Sequence, residues 1–293
     1  MRRDIRPRID SGLCTRCGAC VEICASELLV MGEDGPEATG RGPCFFCGHC
    51  VAVCPENAVQ LPDTTPSQFK DLLHPEQAAG VDSVWDLLRR RRSVRRYRDE
   101  ALPEDIIRRI ITAGTLAPSA LNEQAWHFTV LSDPERLLRI RRRIVAIFRS
   151  LLKMLEGRVN RMMLRVMLGS ETADMLMEMQ PMVERLVEAY DEQQDCILWD
   201  APTLIVVHSA GDDTAVIESS HYAVGNMMMM ATAMGLGTCL VGFVTEAAER
   251  DSRLKEYLKV PPDHSVDASL VIGYPAVEFL RSTHRMDPPV EFD

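Results

Sequence analysis

The sequence predicts an α+β protein of two domains, and three observations support this prediction. Eight of the ten cysteines lie between Cys14 and Cys54, which sets residues 1–62 apart from the rest. Between residues 83 and 293, helical and strand-like hydrophobic patterns alternate without a regular βαβ repeat. With 293 residues, the chain is long enough for each domain to bury its own core. We expect residues 63–82 to form a proline-containing linker between them.

Hydrophobic and polar patterns predict the main elements of the second domain. We expect a helix opening at Pro103–Asp105, and a long helical region over residues 135–190 that is broken near Gly169. A further helix is expected over residues 222–234. Strands are expected over residues 128–131, 203–208 and 269–272.

The metal-ligand spacing of the cysteines and the lack of an evident signal peptide favour a cytoplasmic protein, and composition and charge exclude some function classes. The composition is 46% hydrophobic and 26% charged, which is typical of a globular protein. The net charge of -10 argues against nucleic-acid binding, because phosphate binding requires an excess of lysine and arginine. No signal peptide is evident at the start. Residues 219–245 carry no charge, but His221, Asn226 and a Gly-Leu-Gly break favour a buried helix and turn over a membrane span.

The cysteines form two copies of one motif, C-x2-C-x2-C-x3-C, thirty residues apart. In iron–sulfur proteins with this doubled spacing, three cysteines bind one cubane cluster and the fourth binds the other. This rule predicts one cluster on Cys14, Cys17, Cys20 and Cys54, and another on Cys44, Cys47, Cys50 and Cys24. A pair of zinc sites is the alternative, but zinc more often uses separated C-x2-C pairs.

Residues 1–62 resemble the bacterial two-cluster ferredoxins along their whole length, although Ala25 stands where proline often follows the first motif. The resemblance implies two 4Fe-4S clusters. Two such clusters conduct single electrons but perform no substrate chemistry, so an acceptor must lie in the remaining residues.

Seven arginines lie between Arg89 and Arg98 in a chain that is acidic overall. An arginine run is commonly a solvated helix end, but Ser93 within it adds a hydroxyl that can share a phosphate with guanidinium groups. The stretch Arg91–Tyr97 resembles the opening motif of the FMN-dependent nitroreductase family. Three further blocks follow in family order: Pro118–Trp126, Gly235–Cys239 and Gly273–Pro275.

The resemblance implies a nitroreductase-type α+β sandwich, with a central mixed or antiparallel sheet flanked by helices, in a domain-intertwined homodimer. It implies FMN as a second cofactor and a role for each matched position. The phosphate and ribityl end would be held by Arg91, Arg92, Ser93 and Arg95, with Arg285 as a second phosphate cation. The flavin would be contacted from the partner subunit by Pro118, Ser119 and Asn122, and the amides around Val241 and Gly242 would face N5 and O4 of the ring.

These features together predict a flavin-dependent enzyme that is fed by its own clusters and reduces a nitro, quinone or activated-alkene compound. An external ferredoxin or another low-potential donor would supply the clusters. One alternative is a relay or sensor that passes electrons to a protein partner. A more distant alternative is an enzyme that uses the flavin in the oxidative direction, as the resemblance allows. No catalytic acid is evident. His127 and His221 are candidates, but a lone histidine usually has a structural role.

The helical insert over about residues 137–195 has no assigned role, and eight of the sixteen methionines lie between residues 137 and 182. We favour dimer or interdomain packing for this insert. A pliable lid over an apolar substrate and attachment to a membrane surface are the alternatives.

Overall fold

A computed structural model describes residues 5–39, 42–72 and 75–293. Contacts between residues divide the chain into two units. The first comprises Met1–Gly80 and Ser119–Gln124, and the second comprises Val81–Pro118 and Ala125–Asp293. This division differs from the domain boundaries expected from sequence, because the linker residues 63–80 and a short loop of the second domain join the first unit.

The first unit is built from a repeated short helix, as the doubled motif predicts. Its elements are β1 (Arg8–Ile9), α1 (Ala19–Glu22), β2 (Leu29–Met31), β3 (Pro36–Ala38), α2 (His49–Ala52) and β4 (Val59–Gln60). Two antiparallel pairs form, β1 with β4 and β2 with β3. Gly18 and Gly48 precede the two helices with φ of 81° and 75°, a conformation that favours glycine and turns the chain tightly.

The second unit contains eight helices and four strands within its described residues. The helices are α3 (Val81–Arg90), α4 (Glu104–Gly114), α5 (Pro134–Leu155), α6 (Arg158–Leu168), α7 (Ser170–Asp191), α8 (Thr214–Ala233), α9 (Gly242–Arg250) and α10 (Ser252–Tyr257). The strands are β5 (His127–Leu131), β6 (Thr203–Ala210), β7 (Gly237–Leu240) and β8 (His264–Gly273). All strand pairs are antiparallel, in the order β5-β6-β8-β7.

Side chains of the central strands alternate between two hydrophobic cores. Leu204 and Val206 of β6 point into a core shared with α5 and α7. Ile205 and Val207 point the other way, into a core shared with α4 and α8. The α+β fold predicted from sequence, a sheet between layers of helices, is therefore confirmed.

The helical insert differs from the predicted pattern in one respect. The break predicted near Gly169 is present, but the chain also breaks at Gly157, so the insert forms three helices instead of two. Gly157 and Gly169 have φ of 80° and 84°, which interrupts the helix at each position. Helix α3 was not predicted. Among the described residues, no helix combines the length and the apolar character that crossing a membrane requires.

Candidate functional site

The first cysteine site is formed by Cys14, Cys17, Cys20 and Cys54, which line one small cavity. Burial raises the pKa of the Cys20 thiol, and the three neighbouring thiols raise it further by repulsion. The structure therefore brings together three cysteines of the first motif and the last cysteine of the second.

The second site has the reciprocal composition. Burial raises the pKa of the Cys50 thiol to about 11, and Cys47, Cys44 and Cys24 contribute to the increase. Crowded thiols of this kind resist ionisation on their own. A metal centre that binds all four sulfurs removes the repulsion and favours the thiolates.

Backbone amides already point at several of these sulfurs. The amides of Arg16 and Phe46 lie 3.4 Å from the sulfurs of Cys14 and Cys44. Burial opposes ionisation of Cys24, but its pKa is lowered overall because amides such as that of Leu29 donate to the sulfur. Donors placed in this way stabilise anionic sulfur, so the residues present fit two four-iron clusters.

The arginine segment extends the sheet beside β7. Ser93 pairs with Thr238, and the amide of Val94 donates to the carbonyl of Thr238 at 2.9 Å. This approach requires glycine at position 237, because a Cβ there would lie 2.8 Å from the side chain of Val94. Residues 93 and 94 are therefore anchored to the edge of the central sheet.

Three of the five residues predicted to bind the phosphate end lie around the buried thiol of Cys239. Burial raises the pKa of this thiol, while Arg95, Ser93 and Arg91 act in the opposite direction. Two cations and a hydroxyl thus surround one point next to β7. This combination suits a phosphate or another anion.

Arg92 and Arg285 occupy different surroundings. The guanidinium of Arg92 donates to the backbone carbonyls of Arg91 at 2.7 Å and Arg281 at 3.0 Å. Its buried Nε has no hydrogen-bond partner among the described residues. Arg285 bonds only locally in the hydrogen bonds that the structure describes, to Thr283 and His284. The structure therefore does not group Arg285 with the cations at Cys239.

A cavity of about 720 Å³ lies between the helical insert and the junction of β7 with α9. Its lining includes Arg95 and Cys239 on one side and Met154, Met175 and Met179 on the other. Predominantly apolar walls with a few polar groups are typical of sites for cofactors and small substrates.

Val241 and Gly242 also line this cavity, but their amides differ in availability. The Val241 amide donates to the carbonyl of Ser269 at 2.9 Å, so it is committed to the sheet. Gly242 is the first residue of α9, and the first amides of a helix have no acceptor within the helix. Of the two positions, Gly242 is the one whose amide can serve a ligand.

The loop Ser119–Gln124 makes its contacts within the first unit, whereas Pro118 belongs to the second. The hydroxyl of Ser119 accepts from the amide of Gln124 at 3.1 Å. The side-chain amide of Asn122 donates to the carbonyls of Phe45 at 3.2 Å and Phe46 at 2.9 Å. Sequence reasoning missed this contact with the segment between Cys44 and Cys47, because no local pattern connects residues so far apart.

Family models match both parts of the chain. The nitroreductase family model matches residues 88–274, and a 4Fe-4S dicluster domain model matches residues 13–59. The first match covers more than half of the chain and includes the arginine segment, the central sheet and the cavity.

Similar proteins agree with these matches. An NADH dehydrogenase of Thermus thermophilus is 26% identical over 200 residues, which is 67% of this chain and 88% of the relative. A putative NADH dehydrogenase/NAD(P)H nitroreductase of Archaeoglobus fulgidus is 28% identical over 200 residues, which is 68% of this chain and 90% of the relative.

The fold also resembles that of a solved nitroreductase with bound FMN from Bacteroides fragilis. That structure has a TM-score of 0.55 and 23% identity, and the alignment covers 71% of this chain and 97% of that chain. The chain therefore belongs to the nitroreductase family and carries a 4Fe-4S dicluster domain ahead of its nitroreductase domain.

Proposed function

We propose that this protein is an FMN-dependent oxidoreductase that receives electrons from its own two 4Fe-4S clusters. It passes them to a small organic acceptor of the nitro, quinone or activated-alkene type, and it works as a homodimer. The observation that carries this proposal is the cavity of about 720 Å³, which joins a cation, a helix N-terminus and apolar walls. FMN, when bound, accepts single electrons and donates electron pairs, so it connects one-electron clusters to a two-electron acceptor.

The residues around the cavity suit the two ends of a flavin nucleotide. Arg91, Ser93 and Arg95 supply positive charge and a hydroxyl for the phosphate end. The start of α9 at Gly242 supplies amides and the positive end of a helix dipole, which stabilise negative charge on the ring. Arg92 supports the segment through the backbone carbonyls that it binds.

The cavity favours an enzyme over a relay that has no small substrate. A relay needs only a flavin edge close to a protein partner, whereas this cavity has methionine-rich walls from α5 and α7. Methionine side chains adapt to irregular apolar shapes, so Met154, Met175 and Met179 suit a bulky apolar acceptor.

The nitroreductase resemblance gives the loop around Asn122 a role at the flavin of the partner subunit. In this chain, the side chain of Asn122 binds the carbonyls of Phe45 and Phe46, which lie between two predicted cluster-binding cysteines.

The choice of electron donor tests this function. With a reduced low-potential ferredoxin as donor under anaerobic conditions, we expect turnover of a quinone or nitro compound. Cys50→Ser removes a cluster ligand and should lower this turnover at least about tenfold, since about 1.4 kcal/mol of lost coupling already gives that factor. Ser67→Ala, at an exposed position of the first unit, is the control. The proposal fails if NADPH alone supports equal turnover in the wild type and in Cys50→Ser.

Polar substitutions in the insert test the substrate class. Met154→Gln together with Met175→Gln should raise the KM for an apolar quinone about threefold to tenfold, because about 1 kcal/mol of apolar contact is lost. Met162→Gln is the matched control, since Met162 lies on α6, is 72% exposed and does not line the cavity. Equal KM values in all three proteins would show that the methionines serve packing only.

A further inference from the structure

Three histidines from three strands meet at one end of the central sheet. His127 begins β5, His208 lies near the end of β6, and His264 begins β8. The ring centroid of His127 lies 5.5 Å from that of His208 and 4.8 Å from that of His264. One ring nitrogen from each histidine lies within 4.8 Å of the other two. None of the three lines the large cavity, so this cluster is separate from the proposed flavin site.

The backbone directs these side chains toward one another. His127 stands opposite His208 in the antiparallel pair of β5 and β6. A register shift between Val207 and His208 interrupts the pairing of β6 with β8, and beyond it His264 pairs with Ala210. Such irregularities commonly turn a side chain toward a site.

Two of the three histidines have an oxygen partner on one ring nitrogen. Nδ1 of His127 lies 3.1 Å from the carbonyl of Ala125, which can only accept, so Nδ1 is the donor in this contact. Nε2 of His208 lies 3.1 Å from the hydroxyl of Thr129, which can donate or accept. Histidines that bind metals in proteins are held in this way by an oxygen on the second ring nitrogen.

Polar groups also surround the cluster. His208 is buried, and its Nδ1 shares a hydrogen bond with Nδ1 of His264, which a metal ion would replace with release of the bridging proton. The negative charge of Asp267 also acts on His208, and this carboxylate accepts hydrogen bonds from the hydroxyls of Ser209, Ser220 and Ser265. The nearby ammonium of Lys255 is bonded to the carbonyl of His264 and lies 3.4 Å from Glu249.

We propose that His127, His208 and His264 bind one divalent transition-metal ion. Zn²⁺ is the ion whose coordination geometry is compared with the cluster and whose binding is tested. Nitrogens about 2.0–2.1 Å from a tetrahedral zinc lie roughly 3.4 Å apart. Nδ1 of His208 and Nδ1 of His264 are now 2.8 Å apart, and the widest separation in the cluster is 4.8 Å, so shifts of about 1 Å complete the site. The exposed His127 leaves the fourth position open to water or to an external ligand.

Zinc binding by the intact protein tests the proposal. Anaerobic protein with both clusters in place is titrated with Zn²⁺ against a chromogenic chelator, and iron is counted in the same samples. We expect one zinc ion per chain, with no loss of iron. His127→Ala should weaken binding at least about tenfold, because one of three ligands is lost. The His127 side chain is exposed, so its removal leaves the hydrophobic cores intact.

His221→Ala is the matched control, because His221 is exposed on α8 outside the cluster. It should bind zinc as the wild type does. Zn²⁺ should also raise the melting temperature of the wild type and of His221→Ala, but not that of His127→Ala. Equal zinc affinity in all three proteins, or zinc uptake only with loss of iron, would overturn the proposal.

Discussion

The two units of this protein depend on their cofactors in different ways. In the first unit, the described hydrophobic core consists of Cys20, Leu29, Cys50 and Val59, and two of these four are predicted cluster ligands. In the second unit, separate hydrophobic cores fill both faces of a four-stranded sheet. On this prediction the clusters form part of the core of the first unit, whereas the proposed flavin cavity lies beside a core that is already complete.

This difference follows from size and burial. A small domain buries too little apolar surface to offset its conformational entropy, and metal binding then supplies folding free energy. The second unit meets that cost with strands such as β6, in which Leu204, Ile205, Val206 and Val207 are fully buried. Loss of the cofactor should therefore unfold one unit and leave the other folded.

Removal of iron tests this contrast and has the largest expected effect. Chelation of iron under mild oxidation should expose the amides of residues 5–39 and 42–72 to hydrogen exchange, because two predicted cluster ligands are also core residues. Amides of β6 and β8 should stay protected. Protection of residues 5–39 and 42–72 that survives the loss of iron would show that the first unit has a sufficient core of its own.

Two glycine-to-alanine substitutions, one as the test and one as its control, test the tight contact beside β7. Gly237→Ala would place a Cβ 2.8 Å from the side chain of Val94, so we expect a loss of about 1–3 kcal/mol in the free energy of unfolding and weaker FMN binding. Gly225→Ala is the control, because its Cβ would lie more than 4 Å from every atom outside its chain neighbours and the nearby helix backbone. In denaturant unfolding, the free energy of unfolding of Gly225→Ala should equal that of the wild type or exceed it by up to about 1 kcal/mol. Equal stability of the two variants would contradict the close packing described here.

An ion pair in the second unit should make a smaller, pH-dependent contribution to the free energy of unfolding. The hydrogen bond from Arg143 holds the pKa of Asp251 below its ordinary value, against the effect of burial. Because the folded-state pKa is lowered, this contribution is present above the unfolded-state pKa and is lost as the pH falls through the folded-state pKa. Asp251→Asn should cost about 1 kcal/mol at pH 7 and reduce the fall of stability below pH 5.

Asp191→Asn is the control for this ion pair. Asp191 pairs with Arg149 while both side chains remain about half exposed, so its loss should cost under about 0.5 kcal/mol at any pH. Urea unfolding at several pH values distinguishes the two variants. An unchanged pH slope in Asp251→Asn would show that the pair with Arg143 contributes nothing.

Local patterns were sufficient to predict much of this molecule. The cysteine spacing predicted which four thiols share each site, because a fixed spacing on a short turn and helix leaves few arrangements. The short apolar run of β6 predicted a buried strand, and the apolar residues of α4 predicted a helix; both belong to the α+β fold that the structure shows. Nitroreductase motifs predicted a phosphate-binding role for Arg91, Ser93 and Arg95; the structure brings these three side chains together at Cys239, and the role itself stays a prediction.

Features that depend on long-range pairing were beyond sequence reasoning. In the sequence, His127 is an isolated histidine. No local pattern indicates that β5, β6 and β8 place it beside His208 and His264. The hydrogen bond from the Val241 amide to the carbonyl of Ser269 likewise depends on strand register. So does the close contact between Gly237 and Val94. Only the tertiary fold determines these contacts.

Stopped-flow reduction of the intact, anaerobic protein tests most directly whether the clusters feed the flavin. With a reduced low-potential ferredoxin as donor, the clusters should bleach first, and the flavin should follow at a rate that does not change with protein concentration. Such a rate identifies electron transfer within one assembly. A flavin that is reduced while the clusters remain oxidised, or at a rate that rises in proportion to protein concentration, would contradict the account.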